Sequence, residues 1–141
     1  MKDNFDTKFF QKRVFEAKTI SKYFRNAAKD LGIAVRSKEP EVIFNFSYSS
    51  LVKIGIVLIA GCDYRVKSRI GHHIKILEKS SQILNDENIE IIGDRMRKKR
   101  NLDLYEGGMI ISQKEAKDYL NFTKTVIKKA EEYLKNQKSL F

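Results

Sequence analysis

The chain has 141 residues, with 28 Lys and Arg against 18 Asp and Glu, one cysteine and two histidines. That length fits one domain over residues 1–141 with a real core. A lone Cys62 excludes an intrachain disulfide and a cysteine-based zinc site. The formal net charge of +10 suits acidic partners such as RNA, DNA, nucleotides or an anionic protein face, although a solvated lysine-rich surface has the same composition.

Phe10, Val14, Ala17, Ile20, Phe24, Ala27 and Leu31 step by three or four, which predicts a long amphipathic first helix stopped by Gly32. Ser37 followed by Pro40 starts a second helix running to Ala60, with Gly61 as its stop. Its apolar run after Lys53, Ile54 to Ala60, is far shorter than the ~20 residues of a membrane span. The expected setting is therefore the centre of a soluble bundle. Cys62 to Lys67 reads as a basic connection. A third helix begins near Ser68 or Gly71, carries Ile74, Leu77 and Leu84, and fades at Asn85. The fourth spans Asp86 to Asn101, and Tyr105-Glu106-Gly107-Gly108 turns the chain after it.

Ser112-Gln113-Lys114-Glu115 has the form of a capping box. Ala116, Leu120, Thr123, Ile127, Ala130 and Leu134 then form a heptad-like seam, widened by Tyr119, Val126 and Tyr133. No hairpin signature, repeat or linker interrupts these elements. The fold class expected is all-α, an antiparallel bundle of about five helices. The Met1-Lys2-Asp3-Asn4 start lacks the apolar core of a leader, so the expected compartment is the cytoplasm, with no membrane partner.

The fourth helix carries the main chemical lead. Ile89, Ile92 and Met96 mark its inward stripe, and the same spacing brings Arg100 to the next inward position. Arg97 and Lys99 flank the stripe, and Lys98 lies nearly opposite it. A buried arginine must have a partner, so Arg100 lines a cleft or an interface, or anchors the structure. The adjacent His72 and His73 point about 100° apart on a helix and cannot ligate one metal as an i, i+4 pair. Either histidine can act as general acid or base, or serve as a packing or hydrogen-bonding anchor. With no other histidine and one cysteine, no metal site is expected, and no cofactor is expected where no glycine-rich phosphate loop is present.

Asp63-Tyr64-Arg65, Gly71-His72-His73, and Arg97-Lys98-Lys99-Arg100-Asn101 followed by Tyr105-Glu106 occur in an order that resembles a subgroup of the HEPN superfamily of small helical bundles. The resemblance covers roughly residues 8 to 135. It implies a HEPN-like homodimer in which two arginine-bearing helix ends face each other across a cleft. Many members are metal-independent ribonucleases acting as toxins of toxin–antitoxin systems or in phage defence, often beside a small nucleotidyltransferase. Others bind nucleotides. The departure is Tyr105, which stands where many members carry a histidine; a phenol with a reference pKa of about 10 is a poor proton acceptor near neutrality.

Two functions follow from the resemblance. In the first, a metal-independent endoribonuclease, Arg100 holds the scissile phosphate and Asn101 orients it. His72, His73 or Tyr105 then handles the proton, and Arg65, Arg95, Arg97, Lys98 and Lys99 meet the RNA backbone. In the second, the same fold is a non-catalytic module binding nucleotide, RNA or protein, with Arg100 as an interface anchor.

Overall fold

In this computed structural model the described residues are 4–105, 107, 108 and 110–138, with side chains described for all of these except 103–105 and 138. Tyr105 and Asp103 therefore belong to the fourth helix, but their side chains lie outside the described residues. Among the described residues the elements run β1 (Phe10–Lys12), α1 (Ala17–Arg36), α2 (Pro40–Gly61), β2 (Tyr64–Val66), α3 (His72–Leu84), α4 (Glu87–Tyr105) and α5 (Gln113–Lys138). The architecture is an all-α bundle of five helices with one two-stranded ribbon.

α2 is the central element, packing against each of the other helices and against β2. Its sequence explains the position: apolar residues occur all round the helix, so it has no face to give to solvent. It is long and apolar enough to cross a membrane by composition, with a mean hydropathy of 1.8, yet 67% of that stretch is buried inside the fold. Where α2 meets α1, the buried Asp30 accepts a 2.7 Å bond from Ser49 Oγ and lies 2.8 Å from Lys53 Nζ, which together offset its desolvation. Ser50 Oγ donates to the Ala27 carbonyl at 2.8 Å across the same seam.

On its other side α2 meets α3 at Gly55. A β-carbon there would lie 2.4 Å from Ile76 Cγ2 and 2.5 Å from Ser80 Oγ. On α4, Gly93 makes the matching allowance for Leu77, which would sit 2.7 Å from an added β-carbon. These two missing side chains let α3 wedge between α2 and α4, and that wedge carries His72 and His73 towards Arg97 and Arg100. The fourth helix buries Ile89 and Met96, as its stripe predicts. On α5, Ala116, Leu120, Thr123, Ala130 and Leu134 are buried along the expected seam, with Ile127 partly buried. Ser112 Oγ accepts the Glu115 amide at 3.0 Å, completing one arm of the predicted cap.

Four local expectations are corrected. Gly32 does not stop the first helix, which runs through it to Arg36, because one interior glycine costs a helix only about 1 kcal/mol. The first helix starts at Ala17, because Phe10–Lys12 is extended and pairs antiparallel with Tyr64–Val66, in the register Phe10 with Val66 and Lys12 with Tyr64. The basic connection therefore contains β2. No turn signature announced this ribbon, since its strands are not joined by a hairpin. Phe5 and Phe10 draw the N-terminal segment inward: Phe5 stacks on Tyr64 at 3.9 Å and meets Phe10 edge-on at 5.2 Å. On α3, Ile74 is 41% exposed and the buried positions are Ile76, Leu77 and Ile83. Finally, α4 continues beyond Asn101 to Tyr105.

Candidate functional site

A cleft of about 730 Å³ opens between the start of α3 and the second half of α4. The loop from Ser68 to Gly71 and the first turn of α3 form one wall, and Arg97, Arg100 and Asn101 form the other. Gly71 makes the turn that aims the histidines, with φ of 84°, a conformation that L side chains adopt only at a cost. Five of the residues picked from the sequence, His72 and His73 on one wall and Arg97, Arg100 and Asn101 on the other, thus share one cleft although they lie far apart in the chain.

Tyr48 of α2 lies buried beside this cleft and was not singled out by the sequence reading. Its hydroxyl lies 3.0 Å from His73 Nδ1, and the Arg100 guanidinium sits over its ring at 5.7 Å. Burial pushes the Tyr48 phenol up to about 12, against the opposing pull of Arg100 and Arg97. Burial, then the charges of His72, Arg100 and Arg97, lowers His73 to about 4. Both groups are therefore neutral at pH 7. Arg100 reaches an aromatic face and makes no ion pair among the described residues. A signal for Tyr48 was present: it is the one tyrosine in an apolar core helix, where its hydroxyl needs a partner.

His72 is held differently. Its Nδ1 lies 2.6 Å from the Arg69 carbonyl oxygen. A carbonyl only accepts, so this contact requires the proton on Nδ1 and leaves Nε2 of the neutral ring with a free lone pair. The rings of His72 and His73 are 4.6 Å apart at 65°, which directs them differently despite their adjacency.

The remaining basic residues of α4 are largely engaged. Arg97 Nε donates to Asp94 Oδ1 at 2.9 Å, Lys98 Nζ lies 3.3 Å from Asp94 Oδ2, and Lys99 Nζ lies 3.5 Å from Glu115 Oε2. Burial raises the Asp94 carboxyl, but the bonds and charges of Arg97 and Lys98 outweigh it and hold the group below its ordinary value. Arg95 interacts with Tyr119 of α5, whose phenol is raised by burial. Of these four, only Arg97 lines the cleft. Arg65 does not line it; with Arg13, Phe15, Tyr23 and Tyr64 it borders a separate pocket of about 200 Å³. Among the described residues no group of three or more His, Cys, Asp or Glu gathers to hold a metal ion. Cys62 Sγ is 3.5 Å from the Tyr133 hydroxyl, away from the cleft lining.

The chain matches no protein-family model, no curated protein and no solved structure.

Proposed function

We propose that this is a HEPN-like, RNA-binding protein of the cytoplasm that cleaves RNA in the α3–α4 cleft without a metal ion. The observation that carries the reading is the meeting of His72, Arg97, Arg100 and Asn101 at one open, cationic cleft. Arg100 supplies the main charge for a phosphate, Arg97, partly offset by Asp94, adds to it, and Asn101 supplies an amide to orient it. His72 Nε2 accepts the proton of a ribose 2′-hydroxyl as that oxygen attacks phosphorus. The bond from phosphorus to the 5′-oxygen breaks, the leaving oxygen takes a proton from water, and a 2′,3′-cyclic phosphate remains. His73 takes no proton near neutrality; with Tyr48 it fixes the floor on which Arg100 rests.

The protein acts as a homodimer in this reading. Ile70 and Ile74 line the cleft and are 100% and 41% exposed, and Ile91, 54% exposed, borders the adjoining groove. A second copy would cover these side chains and bring two Arg100 residues to one place. Light scattering at micromolar concentration should give about twice 16.4 kDa; a monomer mass would remove this part of the proposal. A toxin role would add a partner, for which a nucleotidyltransferase is the candidate class.

One observation favours the non-catalytic alternative. Transesterification uses a base and an acid, and the second histidine of the pair is committed to Tyr48. A panel of RNAs incubated in EDTA separates the two. Cleavage leaving 2′,3′-cyclic phosphate ends, with DNA resistant and the Arg100→Ala protein inactive, supports the enzyme. RNA bound but left intact supports the binding module.

A further inference from the structure

We infer that the RNA path leaves the cleft across Arg69 onto Phe9 of the N-terminal segment, where an unpaired base stacks on the Phe9 ring and the flanking phosphates meet Lys8 and Arg69. This extends the RNA reading above and rests on it.

Three cations lie over the half-buried Phe9 ring. Lys75 Nζ lies 5.2 Å from its centroid, and Lys8 Nζ and the Arg69 guanidinium each lie 5.7 Å away. Lys75 has Glu78 at 3.7 Å, but neither Lys8 nor Arg69 makes an ion pair among the described residues. Arg69 also lines the cleft, so the platform and the cleft are continuous. The platform is firmly built. The Phe9 carbonyl accepts the Lys67 amide at 2.7 Å, the Thr7 carbonyl accepts Lys67 Nζ at 2.8 Å, and the Lys8 carbonyl accepts Arg69 Nη1 at 3.2 Å. Buried Lys79 lies over the Phe5 ring at 4.4 Å and donates to the Asn4 carbonyl, which ties the same segment to α3.

An aromatic ring beside two cations, Lys8 and Arg69, that make no ion pair among the described residues is the chemistry that single-stranded nucleic acid uses: stacking for the base, which displaces a long flexible side chain from the ring, and charge for the backbone. The run on α4 is the weaker candidate. A carboxylate beside each of Arg97, Lys98 and Lys99 offsets its attraction for phosphate.

The test uses the full chain and a fluorescein-labelled 2′-O-methyl oligouridylate, which binds without offering an attacking hydroxyl. Affinity is measured by anisotropy from 50 to 200 mM KCl. The Lys8→Ala/Arg69→Ala protein should lose about 0.7 in the slope of log affinity against log salt for each contact removed. Lys98→Ala/Lys99→Ala should leave that slope close to wild type. Phe9→Leu, which keeps apolar bulk but loses the ring, should bind about tenfold more weakly, and Phe9→Tyr should restore binding. Circular dichroism establishes that each variant is folded; should the double variant fail to fold, Lys8→Gln alone carries the slope test. A slope carried by Lys98 and Lys99, or Phe9→Leu binding like wild type, overturns this path while leaving RNA binding in the cleft intact. An oligomer that does not bind at all overturns both.

Discussion

The run from Arg95 to Arg100 and the stretch from Arg65 to Arg69 are both basic, but the fold treats them differently. On α4, Asp94 engages Arg97 and Lys98, Glu115 engages Lys99, and Arg95 turns to Tyr119. Across the cleft, Arg69 leans on Phe9 and Lys67 bonds to a backbone carbonyl, and neither has a carboxylate partner among the described residues. Exposed ion pairs contribute little to stability, but each places a negative charge beside the cation and weakens its local field. A dense basic run is therefore a poor guide to where an anion lands. Arg100 is the exception within its own run, because its partner is the Tyr48 ring and it faces the cleft, which Arg95, turned to Tyr119, does not.

That exception gives the largest expected effect. If the cleft cleaves RNA, Arg100→Ala should lower kcat/KM by about 100- to 1,000-fold, the scale of about 3–4 kcal/mol for one preorganised group facing developing charge. Lys98→Ala, measured beside it, should differ from wild type by less than about 0.5 kcal/mol. Equal losses in the two variants would erase the distinction between paired and unpaired cations.

A middle-sized effect tests the packing that brings the two walls together. Gly55→Ala should destabilise the fold by about 1–3 kcal/mol in urea unfolding, because a β-carbon meets Ile76 and Ser80 well inside contact distance. The gain in helix propensity from replacing glycine is about 1 kcal/mol and works in the opposite direction. A stabilised Gly55→Ala protein would mean that α3 does not wedge against α2 at this point.

The pH dependence sharpens the account of the cationic wall. His73 lies at about 4 in the folded protein, below its ordinary 6.5, so the unfolded chain binds more protons between these values. Its contribution is fully present above about pH 6.5 and is lost as pH falls towards 4. Solvent screening at this half-exposed ring reduces it to the order of 1–2 kcal/mol. The difference in unfolding free energy between wild type and His73→Gln should therefore shrink over that window. Removing Arg100 should raise the His73 pKa, which NMR titration would read directly. An unchanged titration would show that the two groups do not share a field.

The smallest effect concerns the ion pairs themselves. Lys98→Ala should change stability by only a few tenths of a kcal/mol, since 69% of that side chain is exposed. Thermal unfolding at low and high salt would check it, and a large salt-sensitive loss would show that the α4 pairs hold the bundle together.

Much of this molecule was legible in one dimension. The stripe of Ile89 and Met96, the seam from Ala116 to Leu134, the cap at Ser112 and the proline at the start of α2 are local patterns, with periods and caps set by helix geometry itself. The inward step that marks Arg100 is read from the same period. Tertiary structure alone decided the rest, because it depends on segments distant in sequence. The ribbon joins Phe10–Lys12 to Tyr64–Val66 across the whole of α1 and α2, so no local propensity announces it. Tyr48 gains its partner only when α3 slides into the spaces left by Gly55 and Gly93. Sequence counted the charges of this protein; which of them face an open cleft and which face a carboxylate was decided by packing, since a side chain's field depends on its neighbours in space.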